Sequence, residues 1–385
     1  MVRTFRVEPD HAKIVAKSTL FKALNFLDRH EVETPCLLMD RERIRHKALK
    51  VGSGIRKAKV FYAVKANPEA EILQFINELG MGFEIASEGE LSILRSMGVE
   101  PERIISSNPV KSPSFLQKAY GYGVRWFAFD SKEEVDKMAR WAPDARLYVR
   151  LSVPNEGSEW PLSRKFGVEL EEALHLLLYA RERGLMPMGV TFHVGSQCTN
   201  LYNWSIALDK TRRLWDMALE KGIQLEHLNM GGGYPINYTK GVPTVEMIEE
   251  NINRLLEEKF PELSEIHLEP GRAIVGDAGI MVTEVIGKAK RGDENWLYIN
   301  VGVFNGLMES LGGIRYTYLG ESNSGRLLSW TLAGPSCDSF DVIDRNVRLH
   351  EPHTGSLLLI LSGGAYTTSY ASEFNGFPIP RTLLI

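Results

Sequence analysis

The sequence predicts a (β/α)8 barrel followed by an all-β domain, on three observations. Eight short apolar, β-rich runs follow one another between residues 59 and 269. Stretches of helical period separate them, and strands alternating with helices mean parallel βα units. After about Val275 the pattern changes to apolar runs divided by turn residues. A doubly wound sheet ranks below the barrel, because no GxGxxG follows the first strand.

In chain order, TPCLLMD (34–40) is strand-like, precedes the barrel and is expected to join the β domain. The barrel runs are 59–65 (KVFYAVK), 82–86 (GFEIA), 103–107 (RIISS), 126–130 (WFAFD), 145–151 (ARLYVRL), 189–194 (GVTFHV), 227–231 (HLNMG) and 265–269 (EIHLE). Between them AEILQFINELG, residues 170–184 and VEMIEENINRLLEEKF carry the helical repeat. Several such stretches close with Gly, which is common just past a helix end. GIMVTEVIGKAKR, NWLYINVGVF, GRLLSWTLAG and GSLLLILSGG supply the later β runs. The expected division is a barrel over 40–275 and a β domain over 276–385, joined by residues 1–39.

A chain of 385 residues is long enough for two such domains. With 44% hydrophobic and 24% charged residues and a net charge of −4, it has no basic footprint for nucleic acid. No run approaches the roughly 18 apolar residues that span a bilayer, and MVRTFRVEPDHAKIV lacks the apolar stretch of a signal peptide. Cys36, Cys198 and Cys337 are too few and scattered for a disulfide framework or a CxxC metal site. The expectation is a cytoplasmic protein without metal, membrane or nucleic-acid partner.

In a barrel of this kind functional residues lie at the C-terminal strand ends. Those ends read Lys65, Glu84, Asn108, Asp130, Arg150, His193, the triplet Gly231-Gly232-Gly233, and Glu269. Each has an ordinary reading. Lys65 can simply snorkel to solvent; it can also be a lysine of lowered pKa that bonds an aldehyde. The glycines can make a tight turn, or let backbone N–H groups approach a phosphate. Glu269 and Arg272, in EPGR, can be a surface ion pair. Alternatively, the acid keeps the pyridine nitrogen of pyridoxal phosphate protonated and the guanidinium faces the phosphate. His193 can be a core histidine or a ring stacked on a flat cofactor. In GPSCDSFD, Cys337 can be filler, or a proton donor beside an Asp338 that binds an ammonium group. Tyr366, in GAYTTSY, can cap a turn or reach a phosphate.

YAVKAN, FEIASEGEL, WPLSRKFG, FHVGSQ, MGGGYP, EPGR, GPSCDS and GAYTTSYASEFNGF stand in this order from about residue 34 to the C-terminus. Together they resemble fold-type-III pyridoxal-phosphate decarboxylases, most closely the bacterial ornithine and lysine/ornithine enzymes. The resemblance implies a barrel of the alanine-racemase type, pyridoxal 5'-phosphate as cofactor, and L-ornithine or L-lysine converted to putrescine or cadaverine in polyamine biosynthesis. It implies Lys65 as the lysine that bonds the cofactor and His193 as the stacked ring. Ser196, Gly232, Gly233, Glu269, Pro270, Gly271, Arg272 and Tyr366 become phosphate and ring-nitrogen contacts, with Arg150, Glu84 and Glu90 beside them. Cys337 matches the acid that protonates Cα, and Asp338 the acceptor of the substrate's terminal ammonium. Both imply a homodimer with shared sites, since in these dimers they reach the other subunit's barrel.

One departure concerns INVGVF, where Val301 stands in place of an aspartate of the eukaryotic motif. Asn300 and Val303 replace an Asp and a Lys of the bacterial one. Glu309, in GLMES, is the candidate for shaping the distal end of the substrate pocket, with an exposed loop acid as its ordinary reading. Two rival functions share much of this pattern: an amino-acid racemase and a non-catalytic regulator of decarboxylase shape.

Overall fold

In the computed structural model, which describes residues 4–160, 165–263, 265–322 and 325–385, the eight runs form one closed parallel barrel. Its strands are Ala58–Ala63, Gly82–Glu84, Ile104–Ser106, Trp126–Phe129, Arg146–Arg150, Met186–Thr191, His227–Asn229 and Glu265–Leu268. Each pairs with the next, and the eighth closes on the first through Ile266 opposite Ala58. Residues 161–164 of the WPLSRKFG motif lie outside the described residues.

The helical stretches become Ala70–Glu78, Leu170–Glu182 and Val245–Lys259, among others. The last shows why: Ile248, Ile252, Leu255 and Leu256 fall on one buried face. Thr244 caps it by accepting the Met247 N–H at 3.3 Å. Among the described residues no helix is long and apolar enough to cross a membrane.

Inside the barrel Phe61, Ile105, Trp126, Ala128 and Tyr148 pack as one cluster, with the Trp126 and Tyr148 rings stacked at 4.5 Å. The barrel interior also carries polar groups. His267 meets the Tyr148 hydroxyl at Nδ1 and Glu265 at Nε2, 2.7 Å away. Burial lowers the pKa of His267, and that of His227 to about 4, so both imidazoles are neutral near pH 7.

The chain divides into two compact units. The barrel unit comprises Ala48–Pro235 and Pro243–Gly271; the β unit comprises Met1–Lys47, Ile236–Val242 and Arg272–Ile385. In the β unit the strands order as Tyr318–Gly320, Leu357–Leu361, Gly279–Arg291, Glu294–Ile299, Leu327–Ala333 and Val342–His350. The early strand Cys36–Met39 joins this sheet, antiparallel to Gly279–Arg291 and parallel to Arg381–Leu384. A helix not anticipated from the sequence, Lys17–Arg29, places Leu20, Ala23 and Leu27 against Cys36, Leu38, Ile280 and Leu359.

Candidate active site

The barrel unit's candidate residues gather where its strands end. Lys65 is not on the first strand itself, which stops at Ala63, but in the 3-10 turn Val64–Ala66 that follows. Ala63 stands in register with Glu84 at the end of the second strand, and the turn brings the Lys65 ammonium onto the Glu84 carboxylate. The acid is 2% exposed and the amine's side chain 47%, so the pair seals its anion and leaves its amine accessible.

Glu269 follows the eighth strand and is buried. Its carboxylate accepts from Ser107 Oγ and, at 2.5 Å, from Asn229 Nδ2. The third and seventh strands thus hold the acid of the eighth. Burial raises the Glu269 pKa to about 7 and the neighbouring Glu84 carboxylate adds to the rise, while Lys65 and the two hydrogen bonds oppose it. An acid in this setting is only partly charged near pH 7, and a further facing cation favours its charged form.

His193 accepts the Gly195 N–H at Nδ1, 3.0 Å away, which leaves Nε2 as the protonated nitrogen of the neutral ring. Burial, then Arg150 and Lys65, push its pKa well below the ordinary histidine value, so the ring stays uncharged at neutral pH. The glycine triplet runs beside it. A Cβ on Gly232 would stand 2.5 Å from the Glu269 carbonyl oxygen and 3.5 Å from His193 Nε2. Gly233 has φ +103 and a Cβ there would lie 2.7 Å from the Gly195 carbonyl oxygen, so both crowding and backbone hand require glycine.

Three further candidates support this group. Arg150 Nη1 lies 3.4 Å from the Ser107 carbonyl; burial lowers its pKa, and Glu269, Asp130 and Glu84 counter that. Glu90 accepts the Ala86 N–H at 2.6 Å while its own N–H goes to Ser87 Oγ at 3.2 Å, a reciprocal helix cap. Burial and the nearby Glu84 raise its pKa. Ser196 opens the short strand Ser196–Cys198, which pairs with Ser158–Trp160. Two strand-end residues point elsewhere: Asp130 accepts the Gly167 N–H at 2.9 Å, and Asn108 Oδ1 lies 3.4 Å from the Val110 N–H.

The EPGR motif is divided: Glu269, Pro270 and Gly271 belong to the barrel unit and Arg272 to the β unit. Within the β unit Arg272 binds both Glu309 carboxylate oxygens, at 2.8 and 2.7 Å, and donates to the Tyr238 hydroxyl at 2.5 Å. The Tyr366 ring centre lies 4.8 Å from the guanidinium carbon. Glu309 is fully buried in the turn Met308–Ser310 and is the counter-ion of Arg272, not an exposed loop acid. Cys337 is exposed and Asp338 half-buried in a turn of the same unit. Ser107, Asn229 and Tyr238 were not singled out from the sequence. Asn229 carried a readable signal, since it precedes MGGGYP and alternates inward two residues after His227.

The barrel's groups suit one kind of ligand. They offer an amine for an aldehyde, a buried acid for a ring-nitrogen cation, a flat neutral imidazole and glycine backbone for close approach to phosphate. Residues 41–276 match the family described as pyridoxal-dependent decarboxylase, pyridoxal binding domain. The chain belongs to the pyridoxal-dependent decarboxylases. This decarboxylase uses pyridoxal 5'-phosphate. It is 36% identical over its whole length to a lysine/ornithine decarboxylase of Selenomonas ruminantium, covering 94% of that protein. It is 32% identical over 94% of its length to antizyme inhibitor 2 of Xenopus laevis, covering 83% of that protein. Among solved structures it resembles the lysine/ornithine decarboxylase of Vibrio vulnificus complexed with cadaverine. There the TM-score is 0.87 at 30% identity, with 97% of this chain and 99% of the other covered.

Proposed function

We propose that this decarboxylase removes CO2 from L-lysine or L-ornithine, leaving cadaverine or putrescine for polyamine biosynthesis. The full-length match to a lysine/ornithine decarboxylase carries the reading. Asp338 next to Cys337 supports it, because a carboxylate beside a proton donor suits a substrate with a second, distal ammonium.

Lys65 is the residue to hold the cofactor's aldehyde carbon, Glu269 its ring nitrogen and His193 its ring face. Ser196, Gly232, Gly233, Arg272 and Tyr366 are assigned to the phosphate, and Arg150, Glu84, Glu90, Pro270 and Gly271 to the support of these groups. When bound, pyridoxal phosphate supplies an electron sink for the pair left on Cα as CO2 departs. The protein's part is to hold charges and protons in place. Ser107 and Asn229 fix the Glu269 carboxylate, so that it presents its charge in one direction. The neutral His193 adds no positive charge that would hold the substrate carboxylate. Cys337 gives its proton to Cα, and Asp338 anchors the distal ammonium.

A substrate panel tests the proposal. L-lysine and L-ornithine should give the highest kcat/KM for CO2 release, with L-arginine and diaminopimelate lower by at least about a hundredfold. Preference for either of the latter would overturn it. The match to antizyme inhibitor 2 favours a second reading, a regulator without turnover. That reading requires no CO2 from any of the four, and a racemase would instead return the D-amino acid.

The partner assignment is a homodimer with shared sites, acting in the cytoplasm. Lys65→Ala and Cys337→Ala, each nearly inactive alone, should complement when their subunits exchange, restoring up to about a quarter of all sites by random pairing. Proven exchange without recovery would place Lys65 and Cys337 of one chain in one site.

A further inference from the structure

We propose that Asn375 is a positioning residue for the Cys337 thiol, fixing where its sulfur and its S–H point. The inference rests on the reading of Cys337 as the acid for Cα. Two donors of Cys337 converge on Asn375 Oδ1: the backbone N–H at 3.2 Å and Sγ at 3.3 Å. The two ends of an amide look alike as heavy atoms, but a backbone N–H can only donate. The atom facing it must therefore be the oxygen. The same oxygen faces the sulfur, so the sulfur must be the donor and carry its hydrogen. A thiolate there would meet amide lone pairs with no proton between them. A thiol that serves as an acid must present its proton from a fixed place, and this acceptor orients both the sulfur and its S–H.

Both partners are anchored independently of each other. On the cysteine side, Asp341 accepts the Ser336 N–H at 2.9 Å and the Val303 N–H at 2.7 Å. Its carboxylate lies so close to Gly334 that a Cβ there would be 2.2 Å from Oδ1. On the other side, the Phe374 ring packs 4.8 Å from that of Phe304, and Phe304 O accepts the Ser372 N–H at 2.8 Å. Asn375 itself has φ +55, in the left-handed region that asparagine tolerates better than most residues. The contact is set by the fold and not by chance meeting of two mobile side chains. In turnover the electron pair left on Cα takes the Sγ proton, the S–H pair stays on sulfur, and solvent later returns a proton to the thiolate.

The test uses the holoenzyme with Asn375→Gly, which removes the amide and suits the left-handed backbone, and Asn375→Asp, which keeps an acceptor oxygen. Two readouts are taken: steady-state kinetics, and the rate of iodoacetamide alkylation of Cys337 followed by mass spectrometry. Cys36 and Cys198 are buried and leave Cys337 as the accessible thiol. Asn375→Gly should lose roughly ten- to a hundredfold in kcat with KM within about twofold. Its Cys337 should alkylate several-fold faster, and Asn375→Asp should restore both values to near wild type. Wild-type kcat and alkylation in Asn375→Gly, beside an inactive Cys337→Ala, would overturn the positioning role alone. Loss of kcat without faster alkylation or rescue by Asp would overturn it too. Normal turnover in Cys337→Ala would overturn the acid reading, and the positioning role with it.

Discussion

Lys65→Ala is expected to fold and yet to lose at least about three orders of magnitude in turnover. Its side chain is half-exposed although Val64 and Ala66 on either side are buried, so little packing depends on the lysine itself. Its chemistry is another matter. It meets the buried Glu84 carboxylate, and its charge lowers the pKa of Glu269 and of Glu90. Circular dichroism should show an intact fold while diamine formation falls to the background. Near-normal turnover in this variant would remove Lys65 from the chemistry.

Glu269→Gln is the second large effect. Glutamine keeps the length and an oxygen for Ser107 and Asn229, so the variant should fold and bind pyridoxal phosphate. It cannot supply the negative charge that holds a ring nitrogen protonated, and kcat should fall by roughly a hundred- to a thousandfold. The pH dependence of the ligand-free protein gives an independent check. Burial and Glu84 raise the Glu269 pKa from 4.5 to about 7, so the folded chain holds this proton more tightly than the unfolded one. Its stabilising contribution is complete below about 4.5 and is lost as the pH rises through about 7. Ligand-free Glu269→Gln should therefore lose less melting temperature across that interval than ligand-free wild type. Equal losses, or a wild-type kcat, would contradict the assignment.

Much of the barrel was legible because its strands are continuous apolar runs that stop on a polar residue. Lys65, Glu84 and Glu269 are such residues, at or just beyond the ends of their strands. The strand at Cys36 was legible as part of the β unit for a related reason: it is apolar on both faces and lies outside the barrel's βα rhythm. The helix Lys17–Arg29 was missed although Leu20, Ala23 and Leu27 carry its buried stripe, because polar residues interrupt it and no capping side chain announces its start. The part that Ser107 and Asn229 play was beyond sequence reasoning in another way, although the place of Asn229 before MGGGYP was readable. Their role exists only because barrel closure brings the third, seventh and eighth strands to one carboxylate. Glu309 shows the same limit, since nothing in GLMES announces a buried pair with Arg272, 37 residues earlier. Asn375 was visible only as part of a motif; the left-handed turn that aims it at Cys337 is a property of the folded chain.

Borohydride reduction of the holoenzyme, followed by digestion and mass spectrometry, tests the placement of the chemistry most directly. Reduction makes the bond between cofactor and amine permanent, so the pyridoxyl group stays on the lysine that carried it. The expected result is a stoichiometric adduct on the peptide containing YAVKAN, at Lys65, with decarboxylation abolished in step with the reduction. An adduct on a different lysine, or full decarboxylation after Lys65 has been modified, would contradict it.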